Sequence, residues 1–93
     1  MRFEWDEQKN RSNRNKHQVS FELACEVFDD PHQLSQQDRI EDGEMRWQTI
    51  GLVGSVALLL VAHTWHDEDG EEVVRIISAR KATKAERRRY EDG

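Results

Sequence analysis

The chain has 93 residues, 35% of them apolar and 35% charged, a length that folds as one small unit with a compact core. Its longest apolar run, Val56 to Ala62, falls well short of the roughly 18 residues that span a bilayer, and Met1 to Asp6 holds no apolar leader. Cys25 is the single cysteine, which excludes an internal disulfide, so the chain reads as cytoplasmic with Cys25 a small buried hydrophobe.

Phe3-Glu4-Trp5-Asp6 alternates apolar and acidic residues and predicts a short first strand. Asp6 then caps a helix from Glu7 to about Asn15. This helix is almost wholly polar and rich in asparagine, so docking must hold it in place. Ser20 caps a second helix, in which Phe21, Ala24, Cys25 and Phe28 recur at spacings of three and four. Asp29-Asp30-Pro31 ends it, because the residue before proline is pushed out of the helical region. A polar edge strand is expected from about Gln33 to Ile40, then an Asp42-Gly43 hairpin turn and a strand from Met45 to Leu52. Gly51 and Gly54 bracket the next turn. Ser55 to Thr64 is apolar on both faces, as a central strand must be. Asp69-Gly70 turns the chain into a last strand, Val73 to Arg80. Thr83 and Glu86 form a capping box that opens a last helix, to Glu91. The order β-α-α-β-β-β-β-α predicts a single α+β domain over residues 1–93, with a mainly antiparallel sheet packed by helices.

The net charge of −5 argues against a nucleic-acid partner only if charge is spread evenly, and it is not. Residues 73–93 carry seven Lys/Arg against three Asp/Glu, and residues 1–20 carry five against three. Residues 21–45 carry eight acids against one base, and residues 67–72 carry five acids. The basic termini surround Arg75 to Tyr90, a strand running into a helix that fixes cations on rigid backbone, where RNA phosphate would be held.

Arginine's planar fork engages phosphate oxygens in pairs. In a regular strand Arg75, Ile77 and Ala79 share one face while Ile76, Ser78 and Arg80 share the other. That alternation favours Arg80, at the strand's exit, for a phosphate site and leaves Arg75 as the more structural of the two. Lys16-His17 ends the first helix, and histidine exchanges protons near neutral pH. The plainer alternatives are an ion-paired strand arginine and a capping histidine. His63, His66, Asp67, Glu68 and Asp69 have the composition of a metal site, yet strand spacing sends His63 and His66 to opposite faces. Asp67-x-Asp69-Gly70 lacks the glutamate that closes a calcium loop, so an acidic hairpin loop is expected there. No glycine-rich phosphate loop, nucleophile elbow or CxxC pair is present, and no cofactor is expected.

Taken together, Phe3-Glu4-Trp5-Asp6, Lys9, Asn13, Lys16-His17, Val19-Ser20-Phe21-Glu22, Ala24 and Asp29 resemble the BrnT toxins of bacterial type II toxin–antitoxin modules. Glu44, Arg46, Trp47, Gly51, Arg75-Ile76-Ile77-Ser78-Ala79-Arg80, Glu86-Arg87 and Tyr90 continue the resemblance over nearly the whole chain. It implies a RelE-like fold and a metal-independent endoribonuclease that cleaves mRNA, on or off the ribosome, and arrests translation. It also implies a ribbon-helix-helix antitoxin, BrnA-like, through which alone the complex would bind operator DNA. Carried onto this sequence, the catalytic candidates are His17, Arg46, Arg75 and Arg80. The RNA-binding candidates are Lys16, Lys81, Lys84, Arg88 and Tyr90. Arg46 would oppose the last strand if its hairpin folds back into the sheet. Gln18 departs from the family's usual glycine at the end of the first helix, and His63 stands where members often carry an aromatic. The alternative is a toxin-like binding module without catalysis, acting in the antitoxin complex and its autoregulation.

Overall fold

The computed structural model of the chain describes residues 1–55 and 57–93; Val56, at the head of the apolar run, lies outside them. Five strands run as β1 (Arg2–Glu4), β2 (Leu34–Glu41), β3 (Glu44–Val53), β4 (Ala57–Glu68) and β5 (Glu71–Lys81). Three helices accompany them: α1 (Glu7–His17), α2 (Phe21–Ala24), which continues as a 3-10 turn over Cys25–Asp29, and α3 (Lys84–Asp92). The strands form one sheet in the order β1-β5-β4-β3-β2, with β1 parallel to β5 and every other pair antiparallel. This is the α+β meander expected from the sequence. No helix among the described residues is long and apolar enough to cross a membrane.

β4 is the middle strand, and its apolar residues alternate between two cores. Leu59 and Val61 pack with Val19, Phe21, Ala24 and Val27 beneath α2 and the 3-10 turn. Leu58 and Leu60 pack with Ile50 on the other face, where Ala82 and Tyr90 of the α3 region close over them. An apolar run without polar alternation is thus accounted for by burial on both sides.

α1 has no apolar stripe and is held by two buried asparagines. β1 pairs with β5 only at Val73, Val74 and Arg75, which leaves the backbone of Ala79 on an unpaired edge. The Asn13 amide completes that edge as a strand would: Oδ1 accepts from Ala79 N–H at 3.2 Å and Nδ2 donates to Ala79 C=O at 2.8 Å. Nδ2 also donates to Val19 C=O at 2.8 Å. Asn10 Oδ1 accepts from Phe21 N–H at 2.8 Å, tying α1 to the start of α2. The turn between the helices is left-handed at Gln18, with φ of 58°.

Two expectations need correction. The second helix does not run as one α-helix to Asp29; it tightens into the 3-10 turn after Ala24. This turn lies close against β3. A Cβ on Gly51 would lie 2.7 Å from Val27 Cγ1 and 2.8 Å from Val27 O. Gly51→Ala is therefore expected to cost about 3 kcal/mol, because backbone as well as side chain must move; urea denaturation measures it.

The second correction concerns Asp67 and Glu68, which belong to β4 and not to a loop. A two-residue turn, with Asp69 at φ 52° and Gly70 at φ 83°, forces pairing out to Glu68 and Glu71. Arg2 bridges those two carboxylates at 3.2 and 3.1 Å.

Candidate nucleic-acid interface

The β4–β5 ladder pairs Ala62 with Ser78 but His63 with Ile76, leaving Ile77 unpaired in a bulge. The bulge resets the alternation of side chains along β5. Arg75 stands opposite Thr64 and Arg80 opposite Leu60, positions that share one face of β4. Arg75 and Arg80 therefore lie on the same face, so regular strand alternation does not set Arg80 apart from Arg75 as the sequence suggested. Arg46 joins them. Its neighbour Trp47 pairs with His63 and packs edge-on against Trp65 on the α2 side, so Arg46 turns to the α3 side. β4 intervenes between Arg46 and the last strand, so the two do not oppose each other directly.

Each of the three arginines meets a carboxylate. Arg46 Nη1 lies 3.4 Å from Glu41 Oε2. Arg75 donates to both oxygens of Glu44, at 2.5 and 3.4 Å. Arg80 forms a two-pronged pair with Glu86, at 2.8 and 3.0 Å. Glu86 is also the capping-box residue of α3, so Arg80 is fastened to the helix start. Hydrogen bonds from Arg75 hold the Glu44 carboxyl below its usual range, although burial opposes this. The Arg80 hydrogen bonds push Glu86 down to about 2, against the opposing effect of burial and with help from the Thr83 N–H.

This depression has a definite sign. A carboxylate with a lowered folded-state pKa stabilises the fold above its ordinary titration range. The Glu86 contribution is present above about pH 5 and disappears as pH falls through about 2. Glu86→Gln is expected to be less stable than the parent at pH 6 and to lose less on acidification to pH 3; paired thermal melts read both changes.

His17 is the last residue of α1 and is half-buried. With Lys9, Ser12, Lys16, Ile77 and Ser78 it lines a shallow depression of about 270 Å³. Ser78 lies between Arg75 and Arg80 on the arginine face, so His17 and Lys16 flank that face at the β5 edge. Lys84 and Arg88 are exposed on α3 and form no ion pair among the described residues. Lys81 stands apart: with Arg87 it edges a separate depression over Ala57, Leu58 and Ala82.

Tyr90 is committed to the fold. Its hydroxyl donates to Asp30 Oδ2 at 2.5 Å, and that bond together with burial pushes its pKa up to about 12. Asp30 is itself buried and also accepts from Leu52 N–H at 2.7 Å and His32 N–H at 2.9 Å. Burial works against its ionisation, yet these donors keep its carboxyl below the usual range. Asp30 thus clasps the 3-10 turn, β3 and α3. Sequence reasoning missed this role, because nothing local separates Asp30 from Asp29.

His63 and His66 face opposite sides, as their spacing implies. Buried His63 bonds Thr49 Oγ1 at 2.7 Å and the Thr64 carbonyl at 3.0 Å, and desolvation lowers its pKa. His66 is exposed beside Glu68. No group of three His, Cys, Asp or Glu among the described residues is arranged to hold a metal ion. Cys25 is half-buried, and desolvation pushes its thiol up to about 11, which leaves it unreactive.

These features define a small α+β protein with an arginine-lined sheet face, flanked by histidine and free cations. The chain belongs to the BrnT family, described as "Ribonuclease toxin, BrnT, of type II toxin-antitoxin system", whose profile matches residues 5–86. It is similar to the 1.1 Å crystal structure of the Brucella abortus ribonuclease toxin BrnT, with TM-score 0.64 and 25% identity, over 90% of this chain and 99% of that one. No curated protein matches the chain. The family is one of ribonuclease toxins, so RNA is the substrate class and an antitoxin the expected counterpart.

Proposed function

We propose that this protein is a RelE-like, metal-independent endoribonuclease that cleaves mRNA and arrests translation in the cytoplasm. The observation that carries the reading is the arginine face: the β5 bulge brings Arg75 and Arg80 to one side of the sheet, β3 alternation sets Arg46 on the same side, and His17 lies at its edge. In this reading the 2′-oxygen of RNA attacks the adjacent phosphorus and the bond to the 5′-oxygen breaks, giving a 2′,3′-cyclic phosphate and a 5′-hydroxyl. The arginines stabilise charge developing on the phosphoryl oxygens, and fixed donors aimed at developing charge usually supply most of the rate enhancement in such chemistry. In this reading His17 carries a proton from the 2′-hydroxyl or to the leaving oxygen. Lys16, Lys84 and Arg88 hold the flanking backbone, while Lys81, beside Arg87 on a separate depression, would meet RNA only beyond the arginine face. Tyr90 supports it indirectly by anchoring α3.

A ribbon-helix-helix antitoxin, BrnA-like, would neutralise the activity and alone carry the complex to operator DNA, with no role for a membrane. The test is cleavage of RNA by the purified protein. Arg80→Ala is expected to lower the rate about 10²–10³-fold, with a melt confirming that the variant is folded. Undiminished cleavage removes Arg80 from the site.

One observation favours a second reading, a binding module without catalysis: all three arginines are already paired with carboxylates. Expression without the antitoxin separates the two, since growth arrest belongs to the ribonuclease and harmless expression to the binding module.

A further inference from the structure

Two buried side-chain polar atoms have no hydrogen-bond partner among the described residues, Thr64 Oγ1 and Arg46 Nε. Thr64 is only 1% exposed, so water does not reach its hydroxyl freely. A hydroxyl left unpaired in such a place costs stability. The two atoms belong to neighbouring positions of one face. Thr64 pairs directly with Arg75, and Arg46 stands one residue beyond the Trp47/His63 pair, on the Thr64 side. Both are donors in search of an acceptor, and an arginine Nε–H never accepts. The carboxylates at hand do not serve them: Glu41 engages Arg46 through Nη1, and Glu44 engages Arg75. Glu41 and Glu44 sit at the two sides of the β2–β3 hairpin turn, with Asp42 and Gly43 between them.

We propose that Thr64 Oγ1 and Arg46 Nε form the floor of an RNA phosphate subsite, and that Glu44 covers it. The carboxylate holds the Arg75 fork in place of the phosphate oxygens that would take it in the complex. A backbone phosphate supplies several acceptor oxygens, enough to satisfy Thr64, Arg46 Nε and Arg75 together. Binding then exchanges Glu44 for phosphate on Arg75, and the hairpin carboxylate swings toward solvent. Thr64 is a positioning residue in this scheme, and Glu44 is a competitor whose removal helps the substrate. The proposal rests on the ribonuclease reading and adds to it the place of one phosphate and the cost of reaching it.

The test uses the full chain and an RNA oligonucleotide 2′-O-methylated throughout, which binds but lacks the attacking hydroxyl. Affinities are read by fluorescence anisotropy at fixed salt for the wild type, Thr64→Val, Thr64→Ser and Glu44→Gln, with thermal melts alongside. Thr64→Val is expected to bind about tenfold more weakly, the weight of one hydrogen bond to a charged group. Its melting temperature should equal or exceed the wild type's, since it removes an unpaired hydroxyl. Thr64→Ser should bind as the wild type does, and Glu44→Gln about fivefold more tightly, because an exposed ion pair no longer competes. Equal affinity for Thr64→Val, a matching loss in Thr64→Ser, or an unchanged Glu44→Gln overturns the subsite. If the wild type cleaves unmodified RNA while Thr64→Val binds equally well, the subsite alone fails. If the wild type neither binds nor cleaves, the ribonuclease reading fails with it.

Discussion

Replacing His17 with alanine should lower RNA cleavage by about 10²–10⁴-fold, the usual contribution of a positioned proton carrier. The reason is placement: His17 lines a depression with Ser78, the residue that sits between Arg75 and Arg80 on the sheet. Its ring takes part in no hydrogen bond or ion pair among the described residues, so the substitution removes chemistry and leaves the fold intact. Single-turnover cleavage of a labelled RNA, run beside a thermal melt, measures the two separately. A folded variant that cleaves within a few-fold of the parent would assign proton transfer to another group, with Lys16 of the same depression next in line.

Asn13→Ala should cost about 3–5 kcal/mol, close to the largest effects single substitutions produce. Its amide satisfies the N–H and C=O of Ala79 and the C=O of Val19, all within the buried junction of α1 and β5. Truncation leaves three backbone groups unpaired, each worth about 1–3 kcal/mol when desolvated. Aspartate is no remedy: one oxygen can still accept from Ala79 N–H, but the other opposes two carbonyls. Because Asn13 pins the same helix that ends in His17, any surviving folded protein should also be a poor nuclease. Urea denaturation reads the stability, and a loss below about 1 kcal/mol would show that α1 docks by other means.

These two residues also show what the sequence discloses. Element types and their order are legible because punctuation is local. Asp6, Ser20 and Thr83 cap helices, Asp42-Gly43 and Asp69-Gly70 turn hairpins, and an apolar run without alternation marks the strand buried on both sides. The docking of α1 is legible only as a need, since nothing in a polar helix says which asparagine will meet which carbonyl.

The arginine face is legible in composition but not in geometry. Arg75, Arg80 and His17 can be picked out as candidates from residue type and position, and Arg46 only through the family resemblance. That Arg75 and Arg80 share a face depends on the bulge at Ile77, and Ile76-Ile77 within a strand gives no sign of one. The carboxylates on those arginines are hidden for a different reason. Glu44 meets Arg75 across 31 positions of sequence, and only the assembled sheet brings them together. Asp30 reaches Tyr90 across 60 positions in the same way.

Cleavage through the 2′-hydroxyl, on a face built from arginine and histidine, is tested by incubating the purified protein with RNA in excess EDTA and identifying the new ends. The expected outcome is cleavage that persists in the chelator, with 2′,3′-cyclic phosphate on one fragment and a 5′-hydroxyl on the other. Cleavage abolished by EDTA, or fragments bearing 3′-hydroxyl and 5′-phosphate ends, would refute that chemistry.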